Sequence, residues 1–509
     1  MEYWDGRYII ILSAAFLIPA ALLLLISRNK SRSGRLPPGP PGLPVLGNML
    51  DLGSVPHQTI AAMRNKYGPV VWLRIGSVST LAIQSAKAAA ELFKNHDVPF
   101  AGRSIGDVML AQGYNKGSMA LAQYGSYWRV LRRICSVEMF VHKKVNETAA
   151  VRRKCIDDLL RWVENEAGSI KRGSGIHVTR FVFLATFNLL GNIMFSSDLV
   201  DPVSEKGSKF FNAMMGIMER GGTPNISDIF PCLRWLDLQG LRTKTDKDLQ
   251  IALQIVSTFV QKRSKEGQDD SGKRKSDFLD VLLSFEGSGK DEPPKLSEHQ
   301  INIFILEMFL AGTDTTSSTV EWALTELLRN PKAMTKAKEE IRGIVGPTRR
   351  FEESDIDNLQ YLQAVVKETL RLHPPAPFLI PRRAIQDTKF MGYDIPKDTQ
   401  VFINVWAIGR DHESWEDPLS FKPERFLGSN IDFKGQNFEF LPFGAGRRMC
   451  AGLPLGNRML HFVLGSLLHT FDWELEGNVS SESLDMAERM GITVRKFEPL
   501  KAIPRRVVA

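Results

Sequence analysis

The stretch FEFLPFGAGRRMCAGLPLG, Phe438 to Gly456, constrains this chain more than any other. Gly444 and Gly446 let the backbone turn tightly and come close to another group, Cys450 offers a soft thiolate, and Arg447 and Arg448 set fixed positive charge beside it. Such a loop suits a large, anionic, metal-bearing ligand. A buried cysteine in a glycine-rich turn, the usual fate of a lone Cys, fits the same residues. Cys135, Cys155 and Cys232 stand in no paired spacing with it, so neither a disulfide framework nor a CxxC zinc site is indicated. The thiols are expected to face a reducing compartment.

At the other end, residues 8–26 (YIIILSAAFLIPAALLLLI) carry no charge, enough helix to cross about 30 Å of hydrocarbon. A secretory signal would have a shorter apolar core and an A-x-A-like cleavage site, whereas Arg28, Lys30, Arg32 and Arg35 follow here. That basic flank places the C-terminal side in the cytosol. Five prolines between Leu36 and Asn48 then impose extended, stiff geometry. The expected organisation is a membrane anchor with its basic flank over 1–35, a proline-rich hinge over 36–48 and one catalytic domain over 49–509. The charge surplus, 65 − 57 = +8, suits an anionic membrane surface or an acidic partner. No basic run interleaved with aromatics supports a nucleic-acid partner.

Beyond the hinge, β-like runs at Val70 to Gly76 and Ser79 to Ser85 precede many longer helical patterns, so helix should predominate. The charged stretches at 261–276 and 286–295 read as surface loops around a helical DFLDVLLSF. Gly267, Gly272 and Lys273 satisfy GxxxxGK, but Arg274 replaces the magnesium-binding hydroxyl and no strand precedes it, so the match is a coincidence. No convincing GxGxxG unit appears either, and the chain is not expected to bind its own nicotinamide or flavin.

Ser297 to Gln300 forms a capping box opening a helix that runs to Asn330 and stops before Pro331. Apolar residues all round from Ile301 to Leu310 indicate burial. Mid-helix comes Ala311-Gly312-Thr313-Asp314-Thr315-Thr316, where small residues leave space; a packing kink explains the same residues. Glu368 and Arg371 form ExxR on one helical face, which taken alone is more often a solvated surface ion pair than a buried one, and FKPERF follows at Phe421 to Phe426.

FGAGRRMCAG matches FxxGxRxCxG, and the chain resembles the cytochrome P-450 superfamily of haem-thiolate monooxygenases from the proline hinge to its C-terminal strands. The resemblance implies a mainly α fold with small β-sheets (α+β), preceded by one transmembrane helix. It implies haem b, with Cys450 as axial ligand of the haem iron, Arg448 as a propionate partner and Phe443 packing over the cysteine. Trp128 and Arg132, four apart in YWRVLRRICS, resemble the pair that bonds a propionate, and Arg382 lies where another propionate partner often stands. Ala311 and Gly312 resemble the wall over the haem, and Asp314 with Thr315 the proton-delivery pair. Glu368, Arg371 and Arg425 resemble a buried structural triad. Arg129 and Arg133 are either a solvated basic face or, with Lys143 and Lys144, a dock for an acidic reductase.

By the same resemblance the chain is of the microsomal plant type, single-pass in the endoplasmic reticulum membrane with its catalytic domain on the cytosolic face. Ala185 to Leu199 resembles terpenoid oxidases, monoterpenoid and iridoid ones among them. The partners implied are O2, a lipophilic small-molecule substrate, the membrane and an NADPH-cytochrome reductase. Two other functions remain open: a haem-binding carrier or sensor without turnover, and an isomerase or dehydratase of the same fold. An intact Asp314-Thr315 pair argues against both, since neither needs a proton relay.

Overall fold

The computed structural model describes residues 34–171, 173–200, 205–266, 277–289, 291–477 and 479–507. The apolar run at 8–26 and the GxxxxGK stretch at 267–273 lie outside the described residues. Helices carry the fold. In chain order the longer ones are α1 (Pro56–Tyr67), α2 (Ala86–Asn95), α3 (Ser126–Ile134), α4 (Ala149–Ser169), α5 (Val178–Phe195) and α6 (Glu205–Gly222). Then come α7 (Leu241–Glu266), α8 (Glu298–Arg329), α9 (Pro331–Val345), α10 (Gln360–Leu372) and α11 (Leu453–Thr470).

Strands β1 (Val70–Ile75), β2 (Val78–Ile83), β3 (Gly102–Arg103), β4 (Arg382–Arg383) and β5 (Gln400–Ile403) form one mixed sheet in the order β1-β2-β5-β4-β3. The two β-like runs of the sequence are β1 and β2, closed antiparallel with Val70 opposite Ile83. β5 joins β2 in parallel, Thr80 opposite Gln400, which ties the two ends of the chain together. The proline-rich segment is docked on this sheet rather than standing clear as a spacer. The Trp72 N–H donates to the Pro38 carbonyl at 2.8 Å, and the Arg74 N–H to Asn48 Oδ1 at 2.9 Å. Near the C-terminus β6 (Glu488–Arg489) and β7 (Arg495–Lys496) form a hairpin.

The capping box forms as the sequence predicts: Ser297 accepts from the Gln300 N–H and the Gln300 side chain from the Ser297 N–H. The all-round apolar residues after it are buried, and α5 is their partner. Among the described residues α5 is the one helix long and apolar enough to cross a membrane, yet most of it lies inside the protein as a core helix. The two helices stack Phe187 on Phe309 with ring centroids 4.7 Å apart. They approach so closely that a Cβ at Gly312 would stand 2.9 Å from Leu190 Cδ1. Gly312 thus lets the Leu190 side chain pack directly against the α8 backbone.

Glu368 and Arg371 on α10 are fully buried, so the ion pair is not a surface one. Arg371 Nε and Nη2 each reach the carboxylate at 2.7 Å, Arg425 Nε adds a third contact at 3.0 Å and the Lys422 N–H a fourth at 2.8 Å. The remaining Arg371 donors hold the carbonyls of Gly409, Pro418 and Ser420, so one side chain pins the loop preceding the cysteine segment. Replacing Arg371 by Ala leaves the buried carboxylate only Arg425 and the Lys422 N–H, frees three carbonyls, and is expected to cost about 3–5 kcal/mol. Thermal or urea unfolding checks this, and an unchanged midpoint would contradict it.

Candidate functional site

The cysteine loop owes its path to one acid, Asp97, just beyond α2. Its carboxylate accepts from the Arg447 N–H and from Arg447 Nη1, both at 3.0 Å, and from Arg382 Nη1 at 2.7 Å. Gly446 passes it with φ of 65°, and a Cβ there would lie 2.8 Å from Asp97 Oδ1. The loop closes when the Cys450 N–H donates to the Phe443 carbonyl at 2.9 Å. Phe443 packs edge-on against Phe433 at 5.3 Å.

Cys450 is accessible although protein surrounds it, and burial is the largest influence on its thiol. It faces an internal opening, not the outer surface. Burial raises the thiol pKa, while the Gly452 and Leu453 N–H groups at the start of α11 and the Arg132 cation act the other way. α3 supplies that arginine: Arg132 Nη1 donates to the Met449 carbonyl at 2.6 Å. One turn earlier on the same face stands Trp128, with the Arg448 guanidinium carbon 4.6 Å from its ring centre. The structure thus brings Trp128, Arg132, Arg448 and Cys450 together.

Arg382 differs from its neighbours because Asp97 already neutralises it and Phe93 lies under it. Arg448 has no acid. Its Nε and Nη2 donate to the Ala101 carbonyl, Nη2 also to that of Ala122, and Nη1 is buried without a partner. Burial and then the Arg382 charge push its pKa down to about 10. Arg103 was not singled out from the sequence. It is buried near Arg448 and donates to the carbonyls of Ala120 and Ile380, again with no acid in ion-pair reach among the described residues. An arginine at the end of β3 gave no motif to read.

On α8, Ala311 is exposed while Leu310, Thr313 and Asp314 beside it are buried, so the Ala311 face also borders inner space. Thr315 lies on that face, and its hydroxyl donates to the Ala311 carbonyl at 2.7 Å. Asp314 turns away. Its carboxylate is held by the Thr493 hydroxyl and the Arg495 guanidinium, on the hairpin between β6 and β7. Asp314 and Thr315 are therefore adjacent in sequence without sharing a hydrogen bond in this structure.

A thiol backed by two N–H groups, an orphaned buried guanidinium nitrogen and two carbonyl-bound arginines without acids make a donor set for a metal group that carries its own anionic substituents. Among the described residues no cluster of three or more His, Cys, Asp or Glu is arranged to hold a metal ion alone. An iron porphyrin with two propionates fits these residues: thiolate for the metal, arginines and Trp128 for the carboxylates.

That site, on a helical body with small sheets, is the architecture of a haem-thiolate enzyme. The cytochrome P450 family model matches residues 37–498, and the chain belongs to that family as a monooxygenase. It is 59% identical to cytochrome P450 76A2 of Solanum melongena over 99% of both chains. It is 51% identical to the iridoid oxidase of Catharanthus roseus over 96% of each, and 40% identical to the geraniol 8-hydroxylase of that plant over 93% of this chain and 94% of the relative.

Burial alone would raise the Asp97 pKa, but Arg382 and Arg447 overcome it and hold the carboxyl below its usual value. Its stabilising contribution is therefore full above about pH 4, the unfolded value, and fades as pH falls through the lower folded one. Asp97→Asn is expected to destabilise the protein at neutral pH and to converge on the wild type in acid. Unfolding midpoints across that range test it; a gap independent of pH would contradict it.

Proposed function

We propose that this monooxygenase carries haem b on Cys450, is anchored through residues 8–26, takes electrons from a separate NADPH-dependent reductase and oxidises a lipophilic terpenoid of the monoterpenoid or iridoid class. The observation that carries the reading is the enclosed yet accessible thiol set beside arginines that lack acids. The haem supplies O2 activation when bound, and a thiolate ligand favours O–O cleavage. Cys450 holds the iron, Trp128, Arg132, Arg448 and Arg103 hold the propionates, and Phe443 shields the sulfur. Arg382, committed to Asp97, shapes the loop and adds positive field. Ala311 leaves room for substrate.

Thr315 manages protons. Its hydroxyl, bonded now to the Ala311 carbonyl, can instead hold a water and donate into the space beside Ala311. Asp314 resupplies protons by releasing the Arg495 guanidinium, whose side chain is 18% exposed, and turning its carboxylate toward the water held by Thr315; the guanidinium itself passes no proton. The substrate class follows the relatives whose names specify iridoid and geraniol oxidation. Membrane attachment is supported by an apolar rim. Trp235, 81% exposed, stands with Leu236 and Leu238 after Ile229, whose carbonyl accepts from the Ser77 N–H at 3.1 Å. Gly47 pairs with Ile75 at the same turn, which puts exposed Leu43 and Leu50 nearby. Of the four basic residues considered for reductase docking, Arg133 is taken by Glu292 at 2.7 Å and Lys144 by Glu147 at 3.6 Å, leaving Arg129 and Lys143 exposed for it.

Purified protein is expected to contain haem and, reduced with carbon monoxide, to show the thiolate-type Soret band; Cys450→His should lose that band. Its retention would remove Cys450 from the iron. With reductase, geraniol and an iridoid alcohol should give oxygenated products, and failure on a terpenoid panel would overturn the substrate class alone.

Thr315→Ala should leave haem content and NADPH consumption near wild type while product falls and hydrogen peroxide rises. Thr316→Ala should do less, being rotated about 100° round the helix. Wild-type product per NADPH in Thr315→Ala would return that residue to a purely helical role.

A further inference from the structure

A carboxylate that nothing in this reading uses lies one turn before Ala311. Glu307 is 4% exposed on α8 and lies about 40° round the helix from Ala311, between the Ala311 face and the side that carries Asp314. Its oxygens accept from Ser118 Oγ and the Met119 N–H, both at 2.6 Å, and from the Ala120 N–H at 2.9 Å. The Leu121 N–H in turn donates to Ser118 Oγ at 3.0 Å. No cation stands within ion-pair distance of Glu307 among the described residues. Burial raises its pKa, and the donors from Ser118, Ala120 and Met119, then the Arg103 charge, oppose that rise.

The same turn is held from its other side. Arg103 takes the Ala120 carbonyl at 2.8 Å and Arg448 the Ala122 carbonyl at 2.7 Å. Glu307 thus captures the Met119 and Ala120 N–H groups and the Ser118 hydroxyl while Arg103 and Arg448 capture the Ala120 and Ala122 carbonyls, so the turn is registered against α8 and the cysteine loop at once. Met119 and Leu121, carried on it, are partly buried apolar side chains. A buried acid without a counter-charge adds little stability over an apolar residue of equal size, and what it adds is a fixed position.

We propose that Glu307 is the positioning residue that sets the shape of the substrate space over the Ala311–Thr315 face, by holding the turn Ser118 to Leu121. The inference rests on the haem-protein reading above. Glu307→Gln keeps the volume but turns an N–H2 toward donors, and Ser118→Ala removes one donor alone. Haem-loaded, full-length protein is titrated by absorbance with imidazole, which reaches only the iron, and with 4-phenylimidazole, whose ring extends into the space above it. Amide hydrogen exchange is followed at residues 118–122.

Glu307→Gln is expected to keep the reduced carbon monoxide band and the imidazole Kd, to change the 4-phenylimidazole Kd by about tenfold and to speed exchange at Met119 and Ala120. Ser118→Ala should shift both in the same direction by less. Equal shifts for the two ligands, or none with wild-type exchange, overturn the proposal. Should Glu307→Gln fail to fold, Ser118→Ala decides. A wild type without the thiolate band sinks the haem reading, and exchange at the turn then judges Glu307 by itself.

Discussion

Asp97 is the charge on which the site's electrostatics turn. By engaging Arg382, the Arg447 side chain and the Arg447 backbone at once, it fixes the path of the cysteine loop around a glycine where any side chain would be strained by the positive φ and crowded by the carboxylate. It also leaves a surplus. Arg103, Arg132 and Arg448 are bound to carbonyl groups, which orient guanidinium donors without cancelling their charge. Buried cations are costly unless compensated. A fold that buries them beside an accessible thiol has set aside positive charge for an anionic group, and the loop, the arginines and Asp97 are parts of one arrangement.

Helix α8 plays the corresponding part on the opposite side. Glu307, Asp314 and Glu321 recur every seven residues along this buried helix, which keeps them on one side with only ~20° of drift per step. Each takes a different segment: Glu307 the turn at 118–120, Asp314 the hairpin through Thr493 and Arg495, Glu321 the Leu500 N–H at 2.8 Å. Five residues on, Glu326 meets His373 at 2.7 Å, after α10. The helix is therefore a spine whose acids register remote parts of the chain. Conformational precision of this kind comes from directional bonds, since apolar contact alone tolerates sliding.

Much of this was legible in the sequence where the signal is local. The capping box at Ser297, the strands at Val70 and Ser79, and the turn chemistry around Cys450 depend on neighbours within a few residues, and each formed. The burial of Glu368 and Arg371 was not decidable from their spacing, because ExxR looks the same on a wet helix as on a dry one. The pairing of Arg382 with Asp97 spans 285 residues and that of Glu307 with Ser118 spans 189, so neither leaves a local trace. Asp314 shows the difference most plainly. The family resemblance pairs it with Thr315 for proton delivery; successive residues point about 100° apart on a helix, and in this structure the carboxylate takes its donors from the C-terminal hairpin, which no local pattern announces.

That rotation bears on how a buried helix can pass protons at all. Thr313, Thr315, Thr316 and Thr319 each donate to the carbonyl four residues back, at 2.7, 2.7, 2.9 and 2.8 Å. In an apolar core such bonds satisfy hydroxyls that have no other partner, and they load carbonyls already serving the helix, which loosens the ladder locally. Thr313, Thr316 and Thr319 are buried and have little else to reach, whereas Thr315 is only half-buried and stands beside accessible Ala311. A hydroxyl in that position can exchange its carbonyl for a water by rotating one torsion, without moving backbone. The chemical distinctness of Thr315 in this run thus comes from where the helix presents it.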